Sequence, residues 1–138
     1  MSATASPQIL ALIRAWEAAV VAHDIDAVLA HHADDLLMFD VVGPERLQGI
    51  EAYRQSWNDQ FFPWHAGPQR RFELRDIDVR AGDTAAFATA LLDCAGMESG
   101  KHVAFTLRLT LGFEKRGGEW TVVHEHHSQP LPVPGELG

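Results

Sequence analysis

After a loop over Trp64 to Pro68 the spacing of apolar side chains changes from a helical period to strict alternation, and this one switch restricts the chain to a mainly helical first half followed by a sheet. Upstream, Ile9, Leu12, Ile13, Trp16 and Val20 recur every three or four residues and form one stripe that runs out near His23. Ser6 and Pro7 mark its start, because serine accepts a backbone N–H left free in a first turn and proline has none to lose. Asp24 is suited to cap a second, short helix whose apolar positions are Ile25, Val28 and Leu29 and which reaches about His32. A strand over 36–42 is expected next, closed by Gly43-Pro44. A third helix is predicted over 50–62, with Ile50, Tyr53, Trp57 and Phe61 on one aromatic face and Pro63 ending it.

Downstream, the alternating pattern predicts four long strands over 70–80, 84–95, 102–114 and 119–129. Glycine-containing turns at Ala81-Gly82-Asp83, Gly96 to Gly100 and Gly117-Gly118 are short enough to make the neighbours antiparallel, so these strands form a meander. The apolar parity slips between Leu74 and Ile77, which a bulge near Arg75-Asp76 explains. Three helices laid on one face of a curved antiparallel sheet give an α+β cone with an apolar interior. One domain over 1–138 is expected, with loose ends at 1–5 and at 130–138, where prolines forbid a central strand.

A net charge of −8 and the absence of a cluster of Lys and Arg argue against nucleic acid as a partner, since that binding depends on neutralising phosphates. The one cysteine, Cys94, sits among Leu91, Leu92 and Ala95 and reads as a small core residue. No apolar stretch approaches the roughly 20 residues of a membrane span, and the sequence starts without a basic, then apolar leader; no membrane partner and a cytoplasmic location are the expectation.

The order of elements, with the run AHDIDAVLAHHADDLLMFDVVGPERLQGIEAYRQSW, resembles the ketosteroid isomerase and SnoaL-like polyketide cyclase branch of the nuclear-transport-factor-2-like (NTF2-like) superfamily. The ending GEWTVVHEHHSQP is similar to the closing strand of SnoaL-like proteins and of the association domain of calmodulin-dependent kinase. The resemblance implies an NTF2-like cone over nearly the whole chain, and it implies activity far less strongly, because one frame hosts isomerases, cyclases, dehydratases and silent subunits. It places Asp40 where ketosteroid isomerases keep a general base. It places Trp16 and Leu109 where they keep two oxyanion donors, and leucine can donate no hydrogen bond.

Alternation in the third long strand puts Phe105, Leu107, Leu109, Leu111 and Phe113 on one wholly apolar face, assigned to the cone interior. For the last strand, periodicity leaves two sets open, Trp120, Val122, His124, His126 and Ser128 against Thr121, Val123, Glu125 and His127. The resemblance implies that Val123, Glu125 and His127 point inward. A small apolar organic ligand would then meet Asp40, Glu125 and His127 as catalytic groups, among Trp16, Tyr53, Trp57, Phe61, Leu109, Leu111 and Val123 as binding groups. A carboxylate among rings is poorly solvated and drifts toward a pKa useful for proton transfer. The bland readings stand beside this one: Asp40 as a strand-end acceptor for the next turn, Glu125 and His127 as a satisfied pair, and the aromatics as core.

The His-x-His pair His124 and His126 invites a metal, which needs a third ligand from His31, His32, His65 or His102, and nothing in the sequence shows that one converges. We expect no metal and no organic cofactor. The preferred role for His124, His126, Thr106, Arg108 and Thr110 is an outer sheet face that pairs two copies of the chain. The functional expectation is a SnoaL-like small-molecule protein, an isomerase, cyclase or lyase working by proton transfer; the alternative is a non-catalytic binding or oligomerisation domain, and the third reading is a His-coordinated metalloprotein.

Overall fold

A computed structural model describes residues 5–135. Helix α1 (Ala5–Ala22) buries Ile9, Ile13, Trp16 and Val20, the stripe read from the sequence. It already includes Ser6, so serine lies inside the helix and not ahead of it; what precedes Ala5 lies outside the described residues. Of the expected loose ends, Ala5 is helical and buried, whereas 129–133 are irregular. Asp24 caps α2 (Ile25–Leu29) by accepting the Ala27 N–H at 3.3 Å. Strand β1 (His32–Phe39) begins four residues earlier than predicted, and a two-residue strand, β2 (Leu47–Gln48), was not foreseen.

The third helix differs from expectation at its end. Helix α3 (Ile50–Gln55) runs straight into a π-helical segment, Ser56–Phe61, and then into a last turn, α4 (Phe62–Trp64), which contains Pro63. Phe62 donates its N–H to the Trp57 carbonyl, five residues back. A proline ring strikes the carbonyl four residues behind it in an α-helix, and the wider turn moves that carbonyl aside, so the helix continues through Pro63.

Strands β3 (Arg71–Ala81), β4 (Ala85–Glu98), β5 (Lys101–Arg116) and β6 (Glu119–Ser128) form the antiparallel meander. The full order is β2-β1-β6-β5-β4-β3, with β1 parallel to β6, so the curved six-stranded sheet is mixed rather than wholly antiparallel. The long helical excursion between β1 and β3 permits that parallel joint. The β3 bulge falls between Arg75 and Asp78, with Asp76 at a positive φ of 55°. Gly96 lies within β4 and not in a turn: Trp64 packs so closely that a Cβ there would sit 2.6 Å from its ring. Leu107, Leu109, Leu111 and Phe113 of β5 are buried against the helices, with Phe105 half-buried at the open end.

Candidate active site

Residues on β1 alternate, so Leu36, Met38 and Asp40 share the inward face, and Leu36 and Met38 are buried. Met38 pairs with Glu125 and Phe39 with His126 across the parallel joint; one step further brings Asp40 beside His127. That juxtaposition depends on a bulge. Phe113 pairs with Val122 and Gly112 with His124, which leaves Val123 surplus. Trp120 and Val122 therefore face inward before the bulge, and Glu125 and His127 face inward after it. Val123 is the one residue of the expected inward set that the structure takes away: it is half-buried and lines no cavity. Neither parity holds along the whole strand, because the bulge lets each hold for half of it.

A cavity of about 280 Å³ opens between the π-helical segment and the sheet. Its walls include Met38, Trp57, Phe61, Trp64, Phe72, Leu92, Phe105 and Leu107, and its ionisable wall groups are Asp40, Cys94, Glu98 and His127. Val41 and Val42, both exposed, flank the mouth beside Asp40. Of the expected binding residues, Trp57 and Phe61 line this cavity, with ring centroids 4.9 Å apart. Trp16 and Leu111 line a second hollow of about 190 Å³ on the far side of the aromatic layer, and Leu109 is packed in the core and lines neither. Tyr53 and Glu125 are fully buried behind the main cavity. The sequence did not single out Trp64, Val41, Val42 or Glu98; Trp64 read as loop because Pro63 read as a stop. Cys94 is the buried residue expected, and burial pushes its thiol up to about 12, so it is inert there.

Asp40 follows the last residue of β1 and accepts its neighbour Val41's N–H on Oδ1 at 2.7 Å. It thus does what a strand-end residue does, and still leaves Oδ2 for the cavity. Burial raises its pKa above the ordinary carboxylate value, against the opposing pull of His127 and the Val41 N–H. Behind the cavity wall, Nε2 of His127 lies 2.5 Å from Oε2 of Glu125. Tyr53 donates its hydroxyl to the other oxygen, Oε1, at 2.7 Å, and Trp16 donates its indole N–H to the Tyr53 oxygen at 3.2 Å. Burial alone would raise Glu125, but the His127 charge and hydrogen bond, then His32 and Tyr53, bring it below its ordinary value. Burial likewise acts to lower His127, and the Glu125 carboxylate outweighs it, with a smaller push from Asp40, so the imidazole is raised. Both shifts favour the charged forms, carboxylate and imidazolium, and Nε2 is the ring nitrogen that Glu125 engages.

On the other side of the sheet, Nδ1 of His124 bonds to the Leu37 carbonyl at 2.7 Å, while His126 is exposed and both rings meet the edge of Phe39. His127 is turned to the opposite face. Among the described residues no three His, Cys, Asp or Glu side chains converge as metal ligands do. No helix among them is long and apolar enough to cross a membrane.

Residues 9–132 match the SnoaL-like domain family. The chain belongs to that family. An NTF2-like protein of unknown function from Pseudomonas putida is 32% identical, with a TM-score of 0.85 over 97% of this chain and 92% of its own. A ketosteroid isomerase-like protein from Erwinia carotovora is 19% identical over 91% and 96% of the two chains, with a TM-score of 0.74. The association domain of the calmodulin-dependent kinase of C. elegans is 17% identical over 91% and 96%, with a TM-score of 0.69. No curated protein matches the sequence significantly. The last two likenesses establish the NTF2-like, cystatin-like fold and say nothing of this SnoaL-like chain's reaction.

Proposed function

We propose that this SnoaL-like domain binds a small, largely apolar carbonyl compound in the main cavity and moves a proton on it, with Asp40 as base and Glu125–His127 as the assisting pair. The observation that carries this is the meeting of Asp40 and His127, from two adjacent parallel strands, at one wall of an otherwise mostly apolar cavity. At about 280 Å³ the cavity lies near the small end of ligand pockets, roughly 300–1,000 Å³. In the step envisaged, Asp40 Oδ2 takes a proton from the carbon next to the carbonyl; the C–H electron pair becomes the new C=C bond, and the carbonyl π pair moves onto the oxygen. His127 donates a hydrogen bond from Nδ1 to that oxygen, and Glu125 holds the imidazolium in place.

His127 takes this role because neither residue at the isomerase donor positions can serve the cavity: the Trp16 N–H is engaged by Tyr53, and Leu109 has nothing to donate and is in the core. Deuterium uptake from D₂O at the α-carbon of a panel of small cyclic ketones, followed by NMR, reads the step without knowledge of the natural product. Exchange by the wild-type chain that is lost in Asp40→Asn supports the base; equal exchange by the variant removes it.

The second reading, a cone used for assembly, is favoured by the outer sheet face, where Phe39, His124 and His126 make an aromatic cluster near exposed Thr106 and Arg108. A two-fold homodimer through that face is compatible with either reading. Sedimentation of Arg108→Glu against wild type tests it, with a shift to monomer expected.

A further inference from the structure

The Glu125 carboxylate has an imidazole at each end of its hydrogen-bond chain, and only one of them faces the main cavity. The other is His32, the first residue of β1, which lines the second hollow together with Leu12, Trp16 and Phe113. Its ring stacks on Tyr53 at 5.2 Å between centroids, and its Nε2 lies 3.3 Å from the Tyr53 hydroxyl. Nδ1 of His32 is 2.9 Å from the Ala30 carbonyl. We propose that His32 is a positioning residue for the cavity imidazole, joined to His127 by the relay His32–Tyr53–Glu125–His127, so that a proton taken up in the second hollow is felt in the main cavity.

The direction of each bond follows from what its atoms can do. A carbonyl only accepts, so Nδ1 of His32 carries its proton and, in the neutral ring, Nε2 holds a lone pair. The Tyr53 proton is committed to Glu125 at 2.7 Å, so toward His32 the phenol oxygen can only accept. The 3.3 Å contact is therefore lone pair against lone pair while His32 is neutral, and becomes a hydrogen bond when a proton from water in the hollow lands on Nε2. Two imidazolium ions then share one carboxylate, and each weakens the other's hold on its proton.

The charged and titratable groups that act on each end are few. His32 meets Glu125 from β6, Tyr53 from α3 and its neighbour His31; burial lowers its pKa, while the Ala30 bond and Glu125 oppose that. His127 meets Glu125 and Asp40, with Glu98 and Cys94 elsewhere on the cavity wall. His127 thus protonates first as pH falls, and His32 second, against an imidazolium already in place. Coupling of this kind is reciprocal.

The functional meaning of the relay rests on the reading of His127 as the group that meets the ligand; the coupling itself needs no ligand to be seen. Imidazole ¹⁵N and ¹³C shifts are followed by NMR from pH 4.5 to 9 on the full chain. The His127 signals are expected to show a second inflection at the midpoint of His32, and that inflection is expected to vanish in His32→Gln. His127→Gln is expected to raise the His32 midpoint by about half a pH unit or more, and Tyr53→Phe to remove most of that rise. A His127 curve with one inflection, together with a His32 midpoint unmoved by His127→Gln, would overturn the proposal. So would coupling that survives Tyr53→Phe in full, because it would then pass through space. Deuterium exchange that persists in Asp40→Asn overturns the proposed base and leaves this coupling intact, so the two failures are distinguishable.

Discussion

Glu125 and His127, two residues apart on β6, meet through Oε2 and Nε2 at 2.5 Å with both side chains withdrawn from bulk solvent. A buried carboxylate keeps its charge only while its partners stay in place, which makes this pair sensitive to the loss of either member.

Glu125→Gln should therefore cost about 3–5 kcal/mol of stability, the usual result of breaking a buried pair. The sign of the pH dependence follows from the two shifts. Glu125 is lowered from an ordinary 4.5, so its contribution is present above that value and is lost as pH falls through the folded value. His127 is raised from 6.5, so its contribution is complete below 6.5 and is lost as pH rises through the folded value. Urea unfolding at a series of pH values should show the gap between wild type and variant widest between 4.5 and 6.5 and narrowing on both sides.

Asp40 titrates above the ordinary 3.8, chiefly through burial. The rate of α-deuterium exchange in wild type should rise with pH along a limb centred above that value. Asp40→Asn should lower the rate by about 100-fold or more, with the circular dichroism spectrum unchanged.

His65 is buried at 1% exposure and packs its Nδ1 2.8 Å from Nε2 of His23. Burial, then His23 and Arg70, hold its pKa down to about 4. An unfolded chain takes up a proton at 6.5 and the folded chain does not until about 4, so stability falls as pH drops through that window. His65→Leu should remove on the order of 2 kcal/mol of that acid sensitivity, a figure reduced for the half-exposed His23 side of the pair. The acid-unfolding midpoint, read by tryptophan fluorescence, should move to lower pH.

Gly96→Ala should cost about 1–3 kcal/mol, because the new methyl group meets the Trp64 carbonyl and comes within 2.6 Å of its indole. Trp64 is a wall of the main cavity, so its emission should shift together with the melting temperature. Unchanged values of both would show that the close approach is not rigid.

The sequence carried the frame because most of its periods are unambiguous. Phe105 to Phe113 alternate so cleanly that only one face can be buried, and Asp24 caps α2 as its spacing implies. Val123 was not legible for a physical reason: Val122 and Val123 are equally apolar, so the bulge between them leaves no mark on the hydrophobic pattern. Nor was His32, whose place in the relay depends on Tyr53 and Glu125, 21 and 93 positions away in the chain. Pro63 misled because its usual effect assumes an α-helical turn beneath it, and here the turn is wider.

That wider turn has an implication for how the pocket keeps its walls. A π segment holds a surplus residue, and removing one, for instance the exposed Asn58, would return Ser56–Phe61 to ordinary pitch and bring the carbonyl four residues before Pro63 back against its ring. The helix would then break at Pro63, releasing Phe61 and Trp64 from the rim while Trp57 stayed put. One surplus residue on the outside of this helix is thus what keeps the Phe61 and Trp64 walls of the chamber in place.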